Sequence, residues 1–192
     1  MKAIFYFLVE VLDDYNNYET LENGLEIMTN NTIESVEHIN RVGKVISSPR
    51  GTIANKGDSL LFHHNICRKE RGFKGKKPIS PFQVKPNIYF IPFTEVFMID
   101  KGDGWQAIEP FVFVEPVPPT MVTLENGLKI PETEYKGYNE SIGKVSYSNP
   151  WLIKRGVDKG SIVAFEEFSQ HEYEIDGKLH YRMQAKDILG VY

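Results

Sequence analysis

His63-His64-Asn65-Ile66-Cys67, with His38 upstream, gathers the side chains of this sequence best suited to hold a soft metal ion. On an extended backbone, neighbouring side chains point to opposite faces, so His63 and Cys67 share a side and His64 does not. Two ligands without a placed third do not complete a coordination shell. Cys67, the single cysteine, also excludes a thiolate-rich zinc site and an intrachain disulfide. The segment reads as a strand end running into a loop, and no metal is expected. Glu166, Glu167 and His171 offer two carboxylates and an imidazole for proton transfer, but charge along a solvated strand edge explains them more simply. No phosphate-binding glycine loop, HExxH or GxSxG occurs. The expectation is a protein that is not an enzyme and needs no cofactor.

A third cluster, residues 68–77, holds six basic side chains against one acidic, with Phe73 among them. Such a loop can contact phosphates. It reads better as a solvated loop, or as one that meets an acidic client or partner. Residues 1–100 carry 12 basic and 12 acidic side chains and residues 101–192 carry 10 and 14, so no chain-wide basic field points to nucleic acid. The apolar run 4–9 ends at Glu10, too short for the apolar region of a signal peptide or for a membrane span. A soluble, cytoplasmic protein is expected, and the sequons at Asn30 and Asn139 then carry no glycan.

The feature with most information is a duplication. Leu21-Glu22-Asn23-Gly24-Leu25-Glu26-Ile27 recurs as Leu124-Glu125-Asn126-Gly127-Leu128-Lys129-Ile130, with six of the seven positions identical. Val9-Glu10 matches Val114-Glu115, Val42-Gly43-Lys44-Val45 matches Ile142-Gly143-Lys144-Val145, and Lys56-Gly57 with Phe62 matches Lys159-Gly160 with Phe165. Glu95-Val96-Phe97 matches Asp187-Ile188-Leu189. The offset is 100–105 up to residue 66 and then 92, so the first copy carries about eleven extra residues near 66–88. The turn-rich stretch 100–104 divides the chain into copies 1–103 and 104–192.

These residues must be positioned by short elements. Runs such as 111–117, 143–147, 161–165, 179–183 and 187–191 are β-branched or aromatic and are separated by Gly, Pro, Asn and Asp, and Asp176-Gly177 marks a hairpin turn. Only residues 36–39 hint at a helical period. The fold class is all-β, with about five strands per copy in a small barrel or sandwich. Residues 12–41 and 116–141 scatter isolated apolar side chains among Asn, Asp, Gly and Pro. They read as long functional loops, each carrying the duplicated motif as an apolar tip.

The second copy resembles the GroES-like family of co-chaperonins. The resemblance runs through Val112-Phe113-Val114-Glu115, the loop with Asn126-Gly127-Leu128-Lys129-Ile130-Pro131-Glu132, Ile142-Gly143-Lys144-Val145, residues 159–165 and the closing residues 185–191. Through the repeat it extends more faintly over the first copy. It implies two tandem GroES-like small β-barrels, each with a mobile loop whose Gly-apolar-x-apolar tip docks on the rim of a chaperonin ring. The docking residues are then Gly24, Leu25, Glu26 and Ile27, and Gly127, Leu128, Lys129 and Ile130. The implied partners are a GroEL-like chaperonin ring, an unfolded client in its chamber and further copies of the chain in a ring. The charged middle residues, Glu26 and Lys129, depart from the family's apolar or neutral one. Residues 46–55 and 146–158 are short for the family's roofing hairpin, which implies an open-topped ring of the kind phage co-chaperonins resemble, with the host cytoplasm as location if viral. Family rings are sevenfold, which two barrels per chain do not fill evenly. A different reading keeps the fold but not the partner: an oligomeric structural or adaptor protein, such as a virion component.

Overall fold

The computed structural model describes residues 4–11, 18–28, 42–67, 80–119, 121–125, 127–131 and 137–192. The chain divides into two compact units, Met1–Trp105 and Gln106–Tyr192. Both are predominantly β.

In the first unit the strands are β1 (Phe7–Glu10), β2 (Tyr18–Thr20), β3 (Glu26–Met28), β4 (Val42–Ser47), β5 (Ser59–Phe62), β6 (Gln83–Lys85), β7 (Ile88–Ile91) and β8 (Val96–Asp100), and β9 (Trp105–Ala107) spans the division between the units. The second unit contains β10 (Phe111–Pro116), β11 (Met121–Thr123), β12 (Lys129–Pro131), β13 (Ile142–Tyr147), the one-turn helix α1 (Pro150–Ile153), β14 (Ile162–Phe165), β15 (His171–Ile175), β16 (Lys178–Gln184) and β17 (Ile188–Val191).

Hydrogen bonding orders the first main sheet β6-β7-β1-β4-β5-β8-β9 and the second β15-β16-β10-β13-β14-β17. Six strands of each thus follow one scheme, and the ladders agree residue by residue. Val9 faces Val45 as Val114 faces Val145, and Glu10 faces Lys44 as Glu115 faces Lys144. A bulge interrupts both ladders one residue earlier, between Leu8 and Val9 and between Phe113 and Val114. Further bulges recur between Leu61 and Phe62 and between Ala164 and Phe165. An inserted residue bends and twists a strand, so matched bulges give the sheets the same local curvature. The extra residues of the first copy fall between β5 and β7, where the sequence repeat puts them; the basic run 68–77 lies outside the described residues.

Alternation explains the cores. Val112, Val114, Val145, Val163, Phe165, Tyr181 and Met183 pack with Leu152 and Val157 on one face of the second sheet. Their counterparts Phe7, Val9, Val45, Leu60, Phe62, Tyr89 and Ile91 are equally buried. One crossing is too tight for any side chain. A Cβ on Gly43 would meet Val9 Cγ1 and, at 2.9 Å, the carbonyl of Glu10, and one on Gly143 would meet Val114 Cγ1 and the Glu115 carbonyl at the same distance. The Gly-Lys-Val signal of the sequence is therefore a packing requirement.

The structure bears on several of the sequence expectations. Each main sheet runs from one outer strand to another, so among the described residues neither ladder closes into a barrel. The stretch 100–104, read as a boundary, lies beside the division between the two units and forms the turn between β8 and β9. There Asp100 Oδ1 accepts the N–H of Gly102 at 2.7 Å and of Gly104 at 3.0 Å, and both glycines have positive φ. His63 does not continue a strand but caps a 3-10 turn, His64–Ile66, its Nδ1 accepting Asn65 N–H at 3.2 Å. Residues 146–158 contain helix α1, capped by Asn149 with Pro150 behind it. The Asp176-Gly177 turn is as expected, both residues having positive φ between β15 and β16.

Candidate functional site

The duplicated motif does not form an open loop where it is described. Among the described residues β2 and β3 pair with each other alone, as do β11 and β12, giving each unit a two-stranded hairpin. Thr20 faces Glu26 and Glu19 faces Ile27, while Thr123 faces Lys129 and Val122 faces Ile130. The rest of the predicted first loop, residues 12–17 and 29–41, and residues 120, 126 and 132–136 of the second lie outside the described residues, as do His38 and the helical hint at 36–39.

The turns are built alike. Gly24 N–H donates to Leu21 O at 2.8 Å and Leu21 N–H to Leu25 O at 2.9 Å; Gly127 N–H donates to Leu124 O at 2.8 Å and Leu124 N–H to Leu128 O at 2.8 Å. The first bond of each pair closes a β-turn, and the glycine after it sits at φ +79° or +80°. This is the three-residue hairpin loop in which a left-handed residue completes a bulge. Glycine is required there by conformation and not by space, since nothing lies within 4 Å of an added Cβ. In the first copy Asn23 Oδ1 also accepts Leu25 N–H at 3.0 Å, an Asx-type brace across the tip.

What these turns present is apolar. Leu25 and Leu128 are each 56% exposed, and Leu21 and Leu124 are 38% and 39% exposed. Of the eight residues expected to dock, Gly24, Leu25, Gly127 and Leu128 stand in the turns. Glu26, Ile27, Lys129 and Ile130 start the returning strands, with side chains outside the described residues. Leu21 and Leu124 were not among those eight. They close the turns and widen the apolar surface, and the signal for them was present, since both open the repeated motif. At the root of the second arm, Asn139 is buried, its N–H donating to Val117 O at 2.9 Å and its Oδ1 accepting Ser141 N–H at 3.0 Å.

The other constellations give less. No group of three or more His, Cys, Asp or Glu suited to a metal occurs among the described residues. Cys67 is buried. Glu166 continues the β14 edge, its N–H on Asp187 O at 2.8 Å, and His171 faces Arg182 across β15 and β16. A buried polar group that the sequence did not single out is His180 on β16. Its Nδ1 is 2.9 Å from Lys178 O and its Nε2 is 3.7 Å from Glu115 Oε1, and its ring lies 5.5 Å from that of Tyr147. Burial lowers the His180 pKa below the ordinary imidazole value, opposed by the Lys178 carbonyl and Glu115. Burial likewise raises that of Tyr147, with Asp176 and Glu115 adding to the shift. The described residues include no helix long and apolar enough to cross a membrane. Compared with protein-family models and with curated proteins, the chain finds no match.

Proposed function

We propose that the chain is a co-chaperonin: two GroES-like barrels in tandem, assembled with further copies into a ring. The ring caps an ATP-driven chaperonin by docking the two hairpin tips on its rim, over an unfolded client in the chamber, and binds no nucleotide itself. The observation that carries this reading is the duplicated tip. Each of two matched β units bears a hairpin whose turn holds two exposed leucines in a fixed frame.

The energetics support a multivalent contact. Burying one leucine side chain contributes about 1.5–3 kcal/mol, and fixing an unstructured residue costs about 1–2 kcal/mol. The turn bonds tie Leu21 to Gly24 and Leu25, and Leu124 to Gly127 and Leu128, before any partner arrives, so the ordering cost falls on fewer residues than a loose loop would demand. A single tip still binds weakly. Several tips on one ring raise the avidity by ~10²–10⁴, which is why the reading requires oligomerisation.

The test is to mix the protein with a chaperonin and nucleotide and follow co-migration on size-exclusion chromatography. The wild type co-migrates, and Leu25→Ser with Leu128→Ser abolishes the complex while leaving the β-sheet circular dichroism intact. A double variant that binds unchanged removes the tips as the contact.

A further inference from the structure

Phe168 is the most exposed large apolar side chain among the described residues, at 84%. It stands between β14 and β15 at φ +62°, a left-handed backbone that bulky residues rarely adopt. Ser169 locks this turn, its N–H and its hydroxyl both donating to Glu166 O, at 3.2 Å and 2.6 Å. The ring is therefore held out into solvent by a fixed and strained turn, with the exposed carboxylates of Glu166 and Glu167 just ahead of it.

A cleft of the same unit has the complementary form. It encloses about 230 Å³ between Glu109, Pro110, Asn149, Trp151, Ala185 and Lys186, and its walls are mostly apolar. A benzene molecule fits an apolar cavity of about 150 Å³, so one phenyl ring fits here. Trp151 is 40% exposed yet held in place. Asn149 caps its helix, and the Arg155 guanidinium lies 3.5 Å from the centre of the indole, its Nη1 donating to Trp151 O at 3.1 Å. Lys186 and Arg155 set two positive charges around the cleft against the one carboxylate of Glu109.

The duplication ties the protruding ring to the cleft. The turn after β5 repeats the turn after β14: Ile66 N–H donates to His63 O as Ser169 N–H donates to Glu166 O, each at 3.2 Å. Asn65 thus stands where Phe168 does. Phe93 opens the 3-10 turn before β8 as Ala185 opens the one before β17. Its ring packs on Phe7, the counterpart of Val112, with centroids 6.2 Å apart. The first copy accordingly has neither the protruding ring nor an alanine that leaves room for one, and the second copy has both.

We propose that Phe168 of one copy of this chain seats in the Trp151 cleft of another. The ring packs among the indole, Pro110 and Ala185, while Glu166 and Glu167 meet Lys186 and Arg155. Within one unit the two do not meet, since Phe168 is exposed. Reciprocal seating closes a dimer, and one-way seating builds a ring or filament; the contact is the same in either. It draws on the second unit alone and stands whether or not a chaperonin is the partner.

Sedimentation of the full chain over a range of concentrations tests it, with substitutions borrowed from the first copy. The wild type self-associates. Phe168→Asn and Ala185→Phe each weaken association about tenfold or more, the effect of losing one buried ring. The double variant is no weaker than either single variant, because both changes remove one contact. An equal mixture of the two single variants recovers part of the association, since an intact ring then meets an intact cleft. A wild type that stays monomeric, single variants that associate like the wild type, losses that add in the double variant, or a mixture no stronger than its components would each overturn the proposal. Should Ala185→Phe lose the β-sheet signal, a photoreactive benzoylphenylalanine at position 168 decides. Cross-links to Pro110 or Trp151 of another copy support the contact, and cross-links elsewhere, or none, refute it.

Discussion

At Gly143 and Gly43 one hydrogen atom stands where any other residue would put a carbon against a neighbouring strand. Gly143→Ala forces that carbon toward Val114 and the Glu115 carbonyl, both held by the β10 ladder. Overpacking of this kind costs about 1–3 kcal/mol, and denaturant unfolding of G143A and G43A should show losses in that range. His180 supplies a pH dependence. Its pKa in the folded protein lies below 6.5, with burial the main cause. The unfolded chain therefore takes up the proton first as pH falls, and stability declines below about pH 6.5 until the folded-state pKa is passed. Above that range His180 contributes no slope. His180→Gln should flatten the part of the stability-pH curve that begins at about pH 6.5 and runs downward, while the carboxylate-driven fall at lower pH stays. An unchanged curve would mean that folding does not shift the His180 pKa.

At the scale of elements, what was legible in the sequence depended on burial. The strands of the second main sheet carry alternating apolar residues between turn formers, and residues 111–117, 143–147 and 179–183 fold as read, to within two residues. The arms were read as loops because Tyr18-Glu19-Thr20 and Glu26-Ile27-Met28 show no half-buried alternation. Their pairing follows from the turn, with Gly24 at positive φ. Gly24→Ala and Gly127→Ala should loosen both turns by about 1 kcal/mol each, read as weaker chaperonin binding with global stability unchanged. Helix α1 has too few residues for a period to register; its only signal is Asn149-Pro150. Asn149 Oδ1 accepts Leu152 N–H at 2.9 Å and its Nδ2 donates to Phe111 O at 2.8 Å. Asn149→Ala removes a cap and leaves the Phe111 carbonyl without that bond, so thermal unfolding should report a loss of about 1–3 kcal/mol.

At the scale of the molecule, the repeat was the most readable feature, because the ladder registers and paired bulges depend on the very residues that recur. What the recurrence left open is how the copies differ. The first has β9 beside β8 and a basic insertion, and the second has the uncharged β17 edge. The tips are alike in turn geometry and opposite in charge at Glu26 and Lys129. Because avidity multiplies weak contacts, Leu25→Ser alone and Leu128→Ser alone should each weaken chaperonin binding less than half as much, in free energy, as the double variant. Equal losses would make the two tips equivalent, and a loss confined to one would identify the docking unit.

The most direct measurement of the docking claim is amide hydrogen exchange on the wild-type protein, with and without a nucleotide-bound chaperonin ring. The account predicts new protection over residues 18–28 and 121–131, with the main sheets unchanged. Protection that appears elsewhere while both hairpins exchange as before would contradict it.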